Sequence, residues 1–465
     1  MVFSSLLFLF VFLGIVLLLY YVLPRKFRNL WLFISSLFFY AYGEPIYLLL
    51  FVGSITINYV SGLLLEKWGN EEKKRKAVLV GCVVANLGLL GYFKYTSLIL
   101  GTLRAIPVFS FLPNPEIALP IGISFYTFQA MSYVIDVYKG NCKTQKDYIT
   151  FGAYVALFPQ LIAGPIVRYV DVEYQLQHRK ETPELFQNGV KLFVVGLAKK
   201  VLIANAMGQL WGYYKAAGAS SGVLGCWVGV LSFTLQIYFD FSGYSDMARG
   251  LGNFFGFTFV KNFDYPYISR SITEFWRRWH ISLGTWFREY VYIPLGGNRR
   301  GKLRQCLNLF IVWGLTGLWH GASWNFVIWG LYFGVILTLE KFFLLNGLKK
   351  AGNVVSHIYS LLLIMLGWVI FDFTDTSSMF SYFGGLFSFR NGLISQAAAY
   401  WAISYLPLLL VAVVASLPLG KMLYEKVTVT RYGWVAESVV VLLVMILCTA
   451  ALVSSTYNPF LYFRF

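Results

Sequence analysis

The stretch Leu307-Asn308-Leu309-Phe310-Ile311-Val312-Trp313-Gly314-Leu315-Thr316-Gly317-Leu318-Trp319-His320 is an apolar climb that stops at an imidazole. The segment before it, Lys261 to Gln305, holds nine basic and three acidic residues, which places the start of the climb on the positive, cytosolic side of a membrane. Thirteen residues from Leu307 to Trp319, at a rise of ~1.5 Å each, reach only ~20 Å of a hydrocarbon core ~30 Å thick. The spacing therefore predicts that His320 ends inside the membrane rather than beyond it. A titratable ring at such depth is costly unless it is paired or used.

The rest of the chain agrees with a membrane setting. Hydrophobic residues make up 58% of the 465 residues and charged ones 13%, and the mean hydropathy is +0.64, outside the range of soluble domains. Apolar runs of helix-spanning length recur, with no internal repeat and no alternating ten-residue pattern of a barrel. The expected fold is an all-α polytopic membrane protein, one integral-membrane domain over 1–465, with about ten to twelve transmembrane helices. The net charge of +17 is explained by the positive-inside rule and anionic membrane lipid, and not by nucleic acid. Five scattered cysteines without a CxxC pair argue against a disulfide framework and against a metal site.

In order, Leu6 to Leu23 is apolar and is followed, not preceded, by Arg25, Lys26 and Arg28. It therefore reads as an uncleaved span entering from outside. Further spans are expected at Leu30–Tyr42, Ile46–Leu65, Ala77–Leu100, Ile117–Tyr138, Val190–Tyr213, Gly222–Gly250, Leu307–Trp319, Trp324–Leu339, Ile358–Phe371, Trp401–Leu417 and Ala436–Leu452. Phe151–Ile166, broken by Pro159, Ala163-Gly164-Pro165 and flanked by basic residues on both sides, predicts a re-entrant hairpin. The aromatic, basic 261–305 segment predicts amphipathic or re-entrant helices. Polar residues in the Ile117–Tyr138 span, Gln129 and Tyr133 among them, are read as bonding to neighbouring helices. Asp240 and Asp246 must find partners. Lys421, Lys426 and Arg431 mark a cytosolic turn, and the tail from Tyr457 to Phe465 suits a membrane interface.

The chemistry concentrates on two histidines. His320 can take a proton from a hydroxyl and return it to a leaving group. Trp319 and Trp324 can wall a dry pocket around it, and Gly317 and Gly321 permit close approach of another chain or an acyl group. The competing reading is a core histidine bonded to a carbonyl. His280, in Glu274-Phe275-Trp276-Arg277-Arg278-Trp279-His280, lies nearer the basic face and can orient a reacting group or cap a helix. Arg277, Arg278, Arg288, Arg299, Arg300 and Lys302 can hold phosphates or serve topology and lipid contact. No Walker, HExxH or Ser–His–Asp pattern is present.

The blocks Asp240-Phe241-Ser242-Gly243-Tyr244-Ser245-Asp246, Asn262-Phe263-Asp264-Tyr265-Pro266-Tyr267, Glu274 to His280 and Leu318-Trp319-His320-Gly321 resemble the membrane-bound O-acyltransferase (MBOAT) family over nearly the whole chain. Met1-Val2-Phe3-Ser4-Ser5 and Asn458-Pro459-Phe460 resemble its bacterial branch that O-acetylates alginate and cell-wall polysaccharides. The resemblance implies a helical ring around a tunnel and a catalytic His320. It places His280 at a second, less settled polar position, with Trp279, Arg277, Arg278, Arg288, Trp319, Asp240 and Asn262 as donor-binding or tunnel-lining candidates. It implies no bound cofactor. An acyl thioester, acetyl-CoA foremost, is the donor substrate, and an SGNH-type extracytoplasmic acetyltransferase is the partner, in the bacterial cytoplasmic membrane. Transient acylation of His320 is an open alternative. D-alanyl transfer from a carrier protein to teichoic acid is a second reading of the chain, and a lipid or glycan transporter is a third.

Overall fold

The computed structural model describes residues 1–113, 115–162, 164–430, 432–454 and 460–461. Ala163, Arg431, Asn458, Pro459 and the tail from Tyr457 to Phe465, apart from Phe460 and Leu461, lie outside the described residues. All regular structure among the described residues is helical. Six stretches are long and apolar enough to cross a membrane: Leu48–Lys67, Glu72–Arg104, Pro183–Phe254, Trp324–Asp372, Gln396–Ala415 and Gly433–Ser454. Six such stretches do not by themselves give the number of crossings, for which ten to twelve were expected. Two of the six stretches hold more than one helix, and other expected spans are shorter, such as Phe8–Val22, or mix polar and basic residues into the helix, such as Arg25–Gly43.

The chain divides into two compact units, Met1–Phe193 with Tyr244–Val260, and Val194–Gly243 with Lys261–Phe465. In the first, the Leu48–Lys67 and Glu72–Arg104 helices are joined by a reciprocal amide pair. Asn58 Nδ2 donates to Asn86 Oδ1 at 3.0 Å and Asn86 Nδ2 returns a bond to Asn58 Oδ1 at 3.1 Å. Both amides are buried, where an unmade bond would cost ~1–3 kcal/mol. The polar groups of the Ile123–Lys139 helix bond to neighbouring segments, as expected. Gln129 Nε2 donates to the Tyr154 carbonyl at 2.9 Å, and the Tyr133 hydroxyl accepts from Gln145 N at 3.0 Å. Asp147 caps the Tyr148–Ala156 helix by accepting from Ile149 N and Thr150 N. Pro159 then helps stop regular structure, and the chain continues through buried turns. A helix followed by buried irregular backbone thus lies where the hairpin was expected.

The second unit holds both histidines. The climb to His320 is the helix Gly301–His320, 20 residues long, about 30 Å. It starts six residues before Leu307, because the left-handed Gly301 breaks the preceding turn and Lys302, Arg304 and Gln305 continue the helix at little propensity cost. A helix of that length is not a short span, contrary to the expectation from Leu307–Trp319. What keeps His320 from water is packing, which leaves it 6% exposed. Gly301–His320 lies tightly against Trp324–Leu339. A Cβ on Gly317 would stand 2.2 Å from the Phe326 carbonyl oxygen, and one on Gly330 2.4 Å from that of Trp313. Gly317 thus serves close packing of its own helix pair, not access for an acyl group.

Candidate active site

The path to the site begins at Ser271, whose hydroxyl accepts from Glu274 N at 3.0 Å and starts the Ile272–Arg278 helix. The helix stops at Trp279, which is extended, and His280 turns left-handed with φ +48° before Ile281–Phe287 begins. A bulky residue there is strained, and the strain is held by a two-bond ladder. Asp264 N donates to the Arg278 carbonyl at 2.9 Å and Ile281 N to the Asn262 carbonyl at 3.0 Å.

Asn262 also sets the protonation of the His280 ring. Its Oδ1 accepts from Ser282 N at 3.1 Å and Ser282 Oγ at 3.0 Å, so that atom is an acceptor, and it lies 3.3 Å from His280 Nδ1. Nδ1 therefore carries the hydrogen and Nε2 presents its lone pair. Nε2 is buried with no hydrogen-bond partner. Desolvation pushes the pKa of His280 down to about 3, so the ring is neutral.

His320 ends its helix among aromatic rings: Trp319 at 5.0 Å between centroids, Trp329 at 5.0 Å and Phe371 at 5.3 Å. The same Trp319 indole stands 5.7 Å from His280. One indole thus touches both imidazoles. His320 opens on a narrow cavity of about 20 Å³, enough for one water-sized guest, walled by Asp240, Phe241, Trp279, Trp329 and Trp368. Trp324 is not among its walls and is 53% exposed. Trp329 and Trp368, both essentially fully buried, take that role.

A second cavity, of about 290 Å³, is lined by Lys200, Asn205, Gln209, Trp211, Gly212, Lys215, Gln236 and Asp372. Lys200 and Asp240 join the two, for Lys200 Nζ lies 2.5 Å from Asp240 Oδ1. Leu461 lines both cavities, and its N–H donates to Asp240 Oδ2 at 2.8 Å. At the far end Lys215 Nζ meets Asp372 Oδ2 at 2.6 Å, with Trp211 Nε1 on the same oxygen at 2.9 Å. Asp246 pairs with Arg249 at 3.3 Å, so both expected carboxylates have cations.

Of the residues singled out in the sequence, the structure gathers His320, Asp240 and Trp279 around the cavity, and His280, Asn262 and Trp319 directly beside it. The arginines lie elsewhere. Arg277 and Arg288 are exposed, Arg288 pairing with Glu289 at 2.7 Å, while Arg278 is engaged by Glu274 at 2.9 Å and Asp264 at 3.4 Å. Sequence reading passed over Lys200, Trp329, Trp368, Phe371 and Asp372. Lys200 carried a signal, being a lysine inside an apolar run; the aromatic residues carried none.

The family description "membrane-bound O-acyltransferase family" matches residues 144–371, which include both histidines. A "probable alginate O-acetylase" from Pseudomonas putida is 40% identical over 488 aligned positions, covering 100% of each chain. The chain belongs to the membrane-bound O-acyltransferase family. It is thus a multi-pass O-acyltransferase of the bacterial cytoplasmic membrane. A peptidoglycan O-acetyltransferase from Helicobacter pylori is 36% identical over 83% of this chain and 80% of its own. A teichoic acid D-alanyltransferase from Bacillus subtilis is 29% identical over 51% of this chain and 64% of its own. Within such an acyltransferase, a buried imidazole on a narrow aromatic cavity is a group able to take up a proton from a hydroxyl and return it.

Proposed function

We propose that this acyltransferase moves an acetyl group from cytosolic acetyl-CoA across the membrane to a hydroxyl acceptor, in the O-acetylation of an extracytoplasmic polysaccharide. The observation that carries the reading is His320, enclosed by indoles at the cavity that Asp240 shares with Lys200 and the larger chamber. Greater identity and coverage to the two O-acetylating relatives than to the D-alanyltransferase favour acetyl over D-alanyl.

In this mechanism His320 accepts the hydroxyl proton as the acceptor oxygen attacks the thioester carbonyl. The C–S bond breaks, the ester forms, and the proton passes from the imidazolium to the departing thiolate. His280, neutral and with Nε2 open, accepts a hydrogen bond and orients the reacting group. The aromatic walls exclude water that would otherwise hydrolyse the donor. The exposed basic face bearing Arg277, Arg288, Arg299, Arg300 and Lys302 meets the donor phosphates. The larger chamber is the route by which the hydroxyl enters, and an SGNH-type partner on the outer side passes the acetyl group on to the polysaccharide.

The test uses purified protein in vesicles with acetyl-CoA or a D-alanyl carrier protein as donor. Acetyl-CoA cleavage that depends on His320 is the expected result. Cleavage of the D-alanyl carrier alone would refute the acetyl reading.

A further inference from the structure

Glu340 is fully buried, on a π-helical turn, Glu340–Leu344, that follows the Trp324–Leu339 helix. π-turns concentrate where a helix is bent to functional use. Its carboxylate accepts from Ile272 N at 2.6 Å, from Thr273 N at 2.7 Å and from Thr273 Oγ1 at 2.6 Å. These are the first two N–H groups of the Ile272–Arg278 helix, groups that no helix can satisfy within itself. Ser271 serves the third, on Glu274. A carboxylate is costly to bury, and charge-assisted bonds together with the positive end of the helix offset that cost.

The consequence lies at the other end of the same seven residues. A helix of that length does not hold its shape alone, and its last residue leads into Trp279, 4.9 Å from Trp368 on the cavity wall, and then into the strained His280. Trp276 packs against Trp313 and Trp329 at 4.7 and 5.5 Å. Those rings fix the helix sideways, whereas Glu340 fixes it along its axis. A slide along the axis would carry His280 away from Trp319 and misplace its open Nε2.

We propose that Glu340 is a positioning residue for acyl transfer: its carboxylate clamps the start of the Ile272–Arg278 helix and so sets Trp279 and His280 against Trp319 and the His320 cavity. The inference rests on the reading of that cavity as the active site. Glu340→Gln keeps the size of the side chain but turns an amide NH₂ toward backbone N–H donors, so at least one of the bonds is lost. Misplacement of reacting groups by about 1 Å costs on the order of 10²-fold in rate.

The experiment pairs hydrogen exchange with steady-state kinetics on detergent-purified Glu340→Gln. Faster exchange confined to residues 272–280 is expected, with kcat per folded molecule down at least tenfold and KM for acetyl-CoA within about twofold. Unchanged exchange over 272–280 would overturn the clamp, whatever the activity. Raised exchange with wild-type kcat would overturn the positioning role while leaving the acetyltransferase reading intact. If the variant does not accumulate, Thr273→Val, which deletes only the hydroxyl contact, takes its place, with a smaller rise in exchange over 272–280 and a smaller fall in kcat expected, and unchanged exchange there overturning the clamp.

Discussion

Lys200 Nζ stands 2.5 Å from Asp240 Oδ1, and each side chain is only 3% exposed. The lysine lies on a π-helical turn, Lys199–Ala204, and the Phe460 ring faces its ammonium group at 4.7 Å. Because one member of the pair lines each cavity, the pair stands between the His320 site and the chamber.

That pairing predicts a stability pattern. Asp240→Asn strands a buried ammonium and should destabilise the protein by about 3–5 kcal/mol, and Lys200→Met should do similar harm by stranding the carboxylate. The double variant, with no charge left, should recover most of the loss. Thermal unfolding of the three proteins in detergent checks this. A single variant as stable as the wild type would mean that water reaches the pair.

Removing the base tests the chemistry. His320→Ala should lower acetyl transfer by ~10²–10⁴-fold, with membrane abundance close to wild type. His320→Gln keeps polarity and approximate size but cannot accept the proton, and should fail equally. Transfer assays on equal amounts of folded protein decide it; a His320→Gln protein with most of its activity would rule out general-base catalysis.

These residues show how far the sequence could be read. His320, His280 and Asp240 stood out because a polar or charged group in an apolar chain is rare and needs a partner or a use, whereas Trp279 was singled out only by the family resemblance. The helical fold was legible from run length. Helix starts were not, since Lys302, Arg304 and Gln305 look like loop residues by polarity yet are good helix formers, and this moved the start of the climb to Gly301. Trp324 and Trp329 have the same chemistry and lie close in sequence, but they differ in which face of one helix they occupy. Only packing chose Trp329, 0% exposed, over Trp324, 53% exposed. Glu340, just past the Trp324–Leu339 span, gave no sign of its role, because nothing local signals a bond to residues 272 and 273.

The depressed pKa of His280 has a sign that can be measured. The native ring stays neutral down to about 3, so it does not titrate between about pH 5 and 8. His280→Asn, which tolerates the left-handed backbone, should lower the rate without changing the shape of the pH–rate profile in that range. The unfolded chain takes up a proton below about 6.5 that the native state refuses until about 3. Burial of His280 therefore costs stability progressively as pH falls through that window. Melting curves at about pH 7 and about pH 5 should show a smaller acid loss for His280→Asn than for the wild type. A larger loss would mean that the buried ring is charged.

The chamber can be closed without touching the base. Gly212 lines it, and a Cβ built there meets nothing within 4 Å. Its place in the Asn205–Ala217 helix means that a larger residue also gains helix propensity, by up to ~1 kcal/mol. Gly212→Leu should therefore fold at least as well as the wild type while its side chain occupies the space proposed for the entering hydroxyl. Donor cleavage by water needs only His320 and the small cavity, so slow hydrolysis of acetyl-CoA should continue. Transfer to the acceptor should fall at least tenfold, about the effect of a lost contact worth 1.4 kcal/mol or more. Measuring both on one preparation separates the chamber from the chemistry. Transfer at the wild-type rate through a filled chamber would show that the acceptor arrives by another path.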